Sequence, residues 1–375
     1  MSGKNLKRPT FAQINLKALR HNYLKIRSLL PKNCKILTVV KQDAYGHGMI
    51  EVSRVLEELG VEFLGVARVD EALSLRQEGI KSKILNLGVI LSWQDAQIIL
   101  DSDVSQTVNT LTQAQILNYA AYRRRRKAKV HLNIDTGMTR LGIPIEESRR
   151  FLVEFLKFKN LELEGVYTHF PSAEKDRNLT LKQVEKFKDF VDFVCRKGVN
   201  KLYLHCANSA GVLKYPSSYF NLVRPGLCLY GVNPSGFKPL KEFKPAMEVK
   251  SKVVFVRKIP ARTPVSYGGS FVSSGAMYTG VVPIGYGDGY PFSLSGKAEV
   301  LIRGRKFPVL GRVCMDFIIV GSRKKYFSVG DEVLIMGSST ADTQINCEDI
   351  ARKAGTIPYE VLCRFGKNLP RVFLG

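Results

Sequence analysis

The stretch that decides the fold reads Lys35-Ile36-Leu37-Thr38-Val39-Val40-Lys41-Gln42-Asp43-Ala44-Tyr45-Gly46-His47-Gly48. Its β-branched apolar run predicts a buried strand, and Tyr45-Gly46-His47-Gly48 can turn tightly after it. Lys41 stands at the exit of that strand. An amine held there is rigid and partly desolvated, which lowers its pKa toward neutrality and suits it to condense with an aldehyde. The plainer reading is a strand-end lysine that snorkels to water, and Lys41 taken alone favours it.

Outward from this segment, strand-like runs recur at 35–41, 63–68, 83–89, 105–109, 129–135, 163–170, 203–208 and 222–230. Helical patterns lie between several of them. Leu181, Val184, Phe187, Phe190, Val191, Val194 and Cys195 share one helical face, as do Val52, Val55, Leu56 and Leu59. Alternating β and α units predict a parallel sheet, and eight of them predict an N-terminal (β/α)8 TIM-type barrel. An open doubly wound sheet is the alternative. After Pro239 the pattern changes to short alternating strands separated by glycine-containing turns, as in Met247–Val256, Ala298–Ile302, Phe317–Val320 and Glu332–Ile335. The expected organisation is an α/β barrel domain over 12–240 and a β-domain of the all-β class over 241–375.

Composition sets limits on function. A chain of 375 residues exceeds one ordinary core, and 45% hydrophobic content marks it as globular. No apolar run approaches the roughly 18 residues of a membrane span, and the charged N-terminus lacks the core of a signal peptide. Seven cysteines without CxxC spacing read as free thiols of a reducing, cytoplasmic setting. The net charge of +24 and the run Arg123-Arg124-Arg125-Arg126-Lys127 invite a nucleic-acid reading. No recognition motif surrounds that run, so a solvated helix end is expected, with no specific nucleic acid and no membrane as partner.

Chemically able residues fall where a barrel places its active site, at the C-terminal ends of strands. Lys41 and Tyr45 follow the first, Asp135-Thr136-Gly137-Met138-Thr139-Arg140 the fifth and Tyr167-Thr168-His169-Phe170 the sixth. His205-Cys206-Ala207-Asn208-Ser209-Ala210 follows the seventh, and Arg224-Pro225-Gly226-Leu227 lies in the eighth. Each has an ordinary reading: His169 as a satisfied core histidine, Ser209 as a helix N-cap, Arg224-Pro225-Gly226 as a loop.

These segments, in this order, resemble those of bacterial alanine racemases. The resemblance runs from Phe11-Ala12-Gln13-Ile14-Asn15-Leu16 to Ile357-Pro358-Tyr359-Glu360-Val361. It is carried by Val40–Gly48, Asp135–Met138 with Arg140-Leu141-Gly142, Tyr167–Phe170, Asn208-Ser209-Ala210, Val265-Ser266-Tyr267-Gly268, Gly285–Tyr290 and Gly311–Asp316. An ordered series is far more specific than any single short motif. The resemblance implies a pyridoxal 5'-phosphate (PLP) enzyme that racemises alanine, supplying D-alanine for peptidoglycan. It implies a homodimer with shared active sites, and a segment 1–11 that joins the β-domain.

The same resemblance assigns roles. Lys41 carries the cofactor and serves one face of the substrate, while Tyr267 of the other subunit serves the opposite face. A phenol is a poor base at neutral pH, so nearby cations must assist it. Tyr45, Ser209, Tyr359 and the backbone of Gly226 and Leu227 hold the phosphate, and His169 belongs to the cofactor network. Arg224 faces the pyridine nitrogen, where an always-protonated guanidinium cannot accept a proton. Arg140 and Met315 bind the substrate carboxylate, and Tyr286 and Asp316 line the entrance.

The chain departs from the family at Asn133, where many members carry a carbamylated lysine that orients the arginine corresponding to Arg140. Asparagine cannot carry that charge, so a chloride between Asn133 and Arg140 is expected, the alternative being water with Asp135 or another acid as counter-charge. Gly287 and Phe317 are milder departures. Two other activities stay open: a broad-spectrum amino-acid racemase of the same fold, and a fold-related PLP decarboxylase. The decarboxylases usually place an acid at the pyridine nitrogen, which Arg224 is not.

Overall fold

In the computed structural model, which describes residues 8–234, 236, 239–339 and 343–375, the chain opens with strand β1 (Phe11–Asn15) and helix Leu16–Leu29. Residues 1–7 of the expected segment 1–11 lie outside the described residues. The chain divides into two compact units. One comprises Tyr23–Ala44 and Met49–Leu229, the other Met1–Asn22, Tyr45–Gly48 and Tyr230–Gly375.

The first unit is the barrel. Its strands are β2 (Lys35–Val39), β3 (Phe63–Val66), β4 (Lys83–Asn86), β5 (Val104–Val108), β6 (Ala128–Asp135), the short β7 (Ile143–Pro144), β8 (Leu161–Tyr167), β9 (Tyr203–His205) and β10 (Leu222–Val223). The hydrogen-bonded order is β10-β2-β3-β4-β5-β6-β8-β9, with β7 on the side of β6. Every neighbouring pair is parallel. All eight expected strands exist, in one parallel sheet that curls into a nearly closed barrel rather than the alternative open doubly wound sheet. Several end sooner than expected. The run expected over 222–230 stops at Val223, because Pro225 has no N–H for a ladder and a 3-10 turn follows at Leu227–Tyr230. Arg224 therefore stands just past its strand rather than within it.

Helices on the outside bury the faces their periodicity marks. Helix Met49–Glu58 buries Val52, Val55 and Leu56. Helix Arg177–Arg196 buries Thr180, Gln183, Phe187, Phe190, Val191 and Val194, whereas Cys195 is exposed. Phe187, Phe190, Val191 and Val194 face inward as expected, and the stripe extends to Thr180 and Gln183, whose Nε2 reaches Thr136 Oγ1 at 3.2 Å. The arginine run caps helix Leu111–Arg123 in solvent, and Arg124 pairs with Asp101 at 2.9 Å.

The second unit is β-rich. Its largest sheet places β1 between Met247–Lys252, antiparallel, and Arg371–Leu374, parallel. Glu332–Ser338, Glu299–Ile302 and Arg305–Pro308 extend it. A separate three-stranded sheet joins Phe255–Ile259, Met277–Val282 and Ile318–Ser322. Arg8 forms a twofold ion pair with the buried Asp288 carboxylate at 2.6 Å, which ties the start of the chain into this unit. Two helices that strand periodicity did not predict, Cys347–Ala354 and Pro358–Asn368, pack on the same unit. Tyr45–Gly48 reaches helix Pro358–Asn368 so closely that a Cβ on Gly366 would lie 2.1 Å from the Gly46 carbonyl oxygen. No helix among the described residues is long and apolar enough to cross a membrane.

Strands β9 and β10 share no ladder, and one side chain spans the seam. Asn221 Oδ1 accepts from the Leu204 N–H and its Nδ2 donates to the Leu202 carbonyl, both at 2.7 Å. Above it, the Arg224 N–H donates to the Ala207 carbonyl at 2.8 Å. Removing Asn221 strands two backbone groups, each costing about 1–3 kcal/mol when left unmet. Asn221→Leu should lower unfolding free energy by about 2–4 kcal/mol in chemical denaturation. A loss under about 0.5 kcal/mol would show that the seam does not need it.

Candidate functional site

The barrel strands deliver their exits to one end, and the first of them ends unusually. The strand carrying the opening segment stops at Val39, and Lys41–Tyr45 forms a left-handed helical turn. Gln42, Asp43, Ala44 and Tyr45 have φ of 52°, 55°, 54° and 54°. Non-glycine residues pay about 1–2 kcal/mol each for this conformation, so four in a row store several. The tight turn expected at Tyr45–Gly48 is present, with Gly46 and Gly48 at φ of 83° and 91°, but the left-handed conformation begins earlier, at Gln42, and no sequence rule marks four such non-glycine residues in succession.

Buried polar groups hold the turn. Glu71, 3% exposed, accepts from the Gln42 N–H at 2.7 Å and from the Ala67 N–H at 2.9 Å. The Ala44 N–H donates to the Val40 carbonyl, and Asp43 Oδ1 accepts from the Met49 N–H. Lys41 is thereby fixed at the mouth of the barrel, half-buried. Strain of this kind persists where the surroundings over-determine it, and such sites cluster at functional residues.

Around Lys41 the other strand exits place a cationic group of side chains. Arg224 is 3% exposed, and its Nη1 and Nη2 donate to the carbonyls of His205, Thr168 and Cys206 at 2.7–3.1 Å. Its guanidinium lies 5.0 Å over the Tyr167 ring. Nη2 also donates to His169 Nδ1 at 3.2 Å, so that nitrogen must be the bare one. Burial, then the charges of Arg224, Arg140 and Lys41, pushes His169 well below the ordinary histidine range. Its ring is neutral. Ser209 is the first helical residue rather than the N-cap: Asn208 Oδ1 caps the Gly211 N–H, and Ser209 Oγ accepts from the N–H groups of Gly226 and Cys228. The structure thus gathers Ser209, Gly226 and, by chain continuity, Leu227.

Asn133 and Arg140 differ from expectation in their surroundings. Asn133 is buried, and its Nδ2 donates to Asn109 Oδ1 at 3.1 Å. Arg140 is exposed in the single chain rather than held in a partly buried site. The loop leading to it is fixed by Asp135, whose carboxylate accepts from the N–H groups of Gly137, Met138 and Thr139. Asp135 is therefore committed to backbone donors, which weakens it as a counter-charge for Arg140.

The β-rich unit holds the remaining candidates. Tyr45 and Tyr359 have ring centroids 5.8 Å apart, and Tyr45 also packs on Tyr230 at 5.1 Å. Tyr267 opens a 3-10 turn, Tyr267–Gly269, and is 69% exposed. The Arg312 guanidinium lies beside the neighbouring Gly268, 3.5 Å from where a Cβ would stand, and Ser266 Oγ donates to the Arg312 carbonyl at 2.6 Å. Sequence reasoning quoted Arg312 within a motif without giving it a role. The Met315 carbonyl accepts from the Gly287 N–H at 2.9 Å. A Cβ at Gly287 would stand 3.2 Å from that oxygen, a tight fit that glycine avoids.

With this geometry in place, comparison with known proteins defines the class. Residues 14–234 match the family model for the alanine racemase N-terminal domain, and residues 246–373 that for the C-terminal domain. The chain belongs to the alanine racemase family. It is 40% identical to the alanine racemase of Geobacter sulfurreducens over 98% of this chain and 97% of that protein. It is 41% identical to that of Thermodesulfovibrio yellowstonii over 97% of both. Among solved structures, alanine racemase of Clostridium difficile 630 superposes with a TM-score of 0.91 at 38% identity, covering 99% of this chain and 97% of that one. The alanine racemase of Bartonella henselae with covalently bound pyridoxal phosphate gives 0.88 at 27% identity, covering 98% and 99%.

The Glu71 clamp is open to test. Glu71→Gln replaces one acceptor oxygen by a donor, which faces an N–H it cannot satisfy. Hydrogen exchange at the amides of Gln42 and Ala67 should accelerate at least tenfold, matching a local loss of about 1.4 kcal/mol or more. Unchanged exchange at both amides would remove Glu71 from the support of Lys41.

Proposed function

We propose that this chain is a PLP-dependent alanine racemase that interconverts L-alanine and D-alanine and supplies D-alanine for peptidoglycan. The observation that carries the reading is Lys41, held on a strained, clamped turn beside the buried cation of Arg224 and the neutral ring of His169. The donor set fits the cofactor. Arg224 suits a ring nitrogen that stays unprotonated, and the hydroxyl and amides at Ser209, Gly226 and Leu227, with the phenols of Tyr45 and Tyr359, suit its phosphate. Arg140 suits the cofactor oxygen and the substrate carboxylate, and Met315 offers a backbone N–H to that carboxylate. When bound, PLP supplies the electron sink that makes the α-proton of an amino acid removable.

The residues of the chain then handle the proton. The Lys41 amine and the Tyr267 phenol of a second copy act on opposite faces of the α-carbon, one removing a proton and the other returning it. The exposure of Tyr267 and Met315 in a single chain, 69% and 55%, supports completion by a partner subunit in a homodimer. Tyr286 and Asp316 would line the approach. Working domains over 12–240 and 241–375, joined by 1–11, agree with the division into two compact units in number but not in bounds, since the residues up to Asn22, Tyr45–Gly48 and the chain from Tyr230 fall with the β-rich unit. Seven free cysteines suit a cytoplasmic enzyme. Asn133 in place of a charged residue favours a broad-spectrum racemase as the second reading.

Purified protein given L-alanine and PLP should yield D-alanine by chiral chromatography. Its visible cofactor band should vanish on borohydride treatment, with the pyridoxyl group recovered on Lys41 by peptide mapping. Recovery on another lysine would sink the assignment.

Tyr267→Phe should retain cofactor and lose most racemisation, at least a hundredfold, as expected for loss of a positioned acid–base group. Mixing inactive Lys41→Ala with inactive Tyr267→Phe should restore activity, since one site of the mixed dimer keeps both groups. No rescue after demonstrated subunit exchange would count against sites shared between copies.

We further place a small inorganic anion, chloride, between Asn133 and Arg140. Asn133 spends one amide N–H on Asn109 and keeps the other to donate, and Arg140 supplies the charge. Activity should respond to chloride at constant ionic strength. Bromide-soaked crystals without an anomalous peak near Asn133 would defeat the idea.

A further inference from the structure

Arg224 is buried as a cation, and no carboxylate among the described residues lies within ion-pair distance of it. A guanidinium so placed is costly unless its charge is met. Carbonyls and the Tyr167 ring meet part of it. The rest of its surroundings lead away from the strand exits along a file of hydrogen bonds. Arg224 Nη1 contacts His205 Nδ1 at 2.8 Å, His205 Nε2 contacts His131 Nδ1 at 2.8 Å, and His131 Nε2 contacts Glu164 Oε2 at 3.1 Å. Ser105 Oγ donates to the same Glu164 oxygen. Both imidazoles are fully buried.

The protons on this file have one allowed arrangement. Every guanidinium nitrogen is a donor, so His205 Nδ1 must accept and its proton sits on Nε2. His131 Nδ1 must then accept from His205, leaving its proton on Nε2, which donates to Glu164. A protonated Glu164 donating back would require a His131 ring with no proton at all. Glu164 Oε2 is therefore an acceptor, and all three links point from Arg224 toward Glu164. Burial pushes both histidines below their ordinary range, in keeping with neutral rings. Burial raises Glu164, but the bonds from His131 and Ser105 outweigh it and hold it low.

The fold is cut to fit this file. A Cβ on Gly165 would stand 2.4 Å from His131 Nδ1, so the ring occupies the space where a side chain at 165 would be. His131, Gly165 and His205 stand on neighbouring strands β6, β8 and β9, and Tyr167 stacks on His205 at 4.8 Å.

We propose that Glu164 is a positioning residue that serves as the counter-charge of Arg224 at a distance, acting through two neutral imidazoles of fixed tautomer, and so holds the guanidinium as a pure donor toward whatever sits at the barrel mouth. Direct pairing with a carboxylate would place an anion beside the ligand. The relayed arrangement balances the charge and keeps the anion away.

The proposal rests on the racemase reading for its kinetic consequence and on geometry alone for its proton arrangement, so two measurements separate them. In protein labelled with 15N-histidine, without added substrate, His131 and His205 should both be neutral with the proton on Nε2. In Glu164→Gln, which can still accept from His131, the His205 ring signals should move although His205 does not touch residue 164. A cationic ring, an Nδ1 proton, or an unmoved His205 would overturn the proposal whatever the activity. In racemisation of alanine, Glu164→Gln and His131→Phe should each lower kcat about tenfold with KM changed less than twofold. Their double variant should lose no more than either alone, as for residues acting in series. Multiplying losses would overturn the relay. Wild-type protein that binds PLP but does not racemise alanine would instead refute the function while leaving the histidine signals to decide the relay.

Discussion

A buried guanidinium constrains the barrel unit more than any other group. Arg224 needs several acceptors within reach, and three backbone carbonyls supply them: Thr168, His205 and Cys206. The strands end close by, β8 at Tyr167 and β9 at His205, and the His205 carbonyl accepts from the Thr168 N–H at 3.3 Å as well as from Arg224. The same demand forbids charge on the neighbouring rings. His169 and His205 each turn a bare nitrogen to the guanidinium, and a protonated imidazole in either place would set two cations face to face in a dry interior.

Lys41 is positioned by a different physical device. Arg224 is held by satisfied hydrogen bonds at little conformational cost, whereas Lys41 stands on backbone that would relax if released. The Glu71 clamp joins the strained turn to the exit of β3 through the Ala67 N–H, so the two strand ends are set together. Within the β-rich unit, Gly46 and Gly366 approach to contact distance. At the Lys41 end, the Glu71 clamp on the strained turn leaves the lysine little freedom to lose when it bonds a ligand.

The first strands were legible because Val, Ile and Leu runs mark buried parallel strands, whereas counting eight depended on accepting the short, more polar segments at 105–109 and 163–170. The strand exits were less so. Pro225 signalled where β10 must stop, yet the apolar residues on both sides of it, Leu222, Val223, Leu227 and Leu229, masked it. The two C-terminal helices were hidden for a similar reason: they follow a series of short strands, and the eye extends the pattern. Lys41, His169, Ser209 and Arg224 could be named from order and position at strand exits. Glu71, Glu164 and His131 could not. Their importance comes from partners 29, 33 and 74 residues away in the chain, and no local spacing encodes those contacts. Asn221 likewise looks like any turn asparagine until the missing ladder between β9 and β10 is seen.

Taken together, the charges at the barrel mouth define what it can receive. Lys41, Arg140 and Arg224 all lie close enough to His169 to depress its protonation. The acids nearest in the chain are spent on backbone: Asp43 accepts from Met49, Asp135 from three successive amides and Glu71 from Gln42 and Ala67. These bonds fix the acids in the scaffold without removing their charge, and Lys41, Arg140 and Arg224 remain the cations close to His169. A ligand bearing a phosphate and a carboxylate meets complementary charge there. A dibasic ligand without either would meet repulsion. The scaffold acids and the cations thus divide the work, and an anionic class of ligand suits Lys41, Arg140 and Arg224 before any particular ligand is considered.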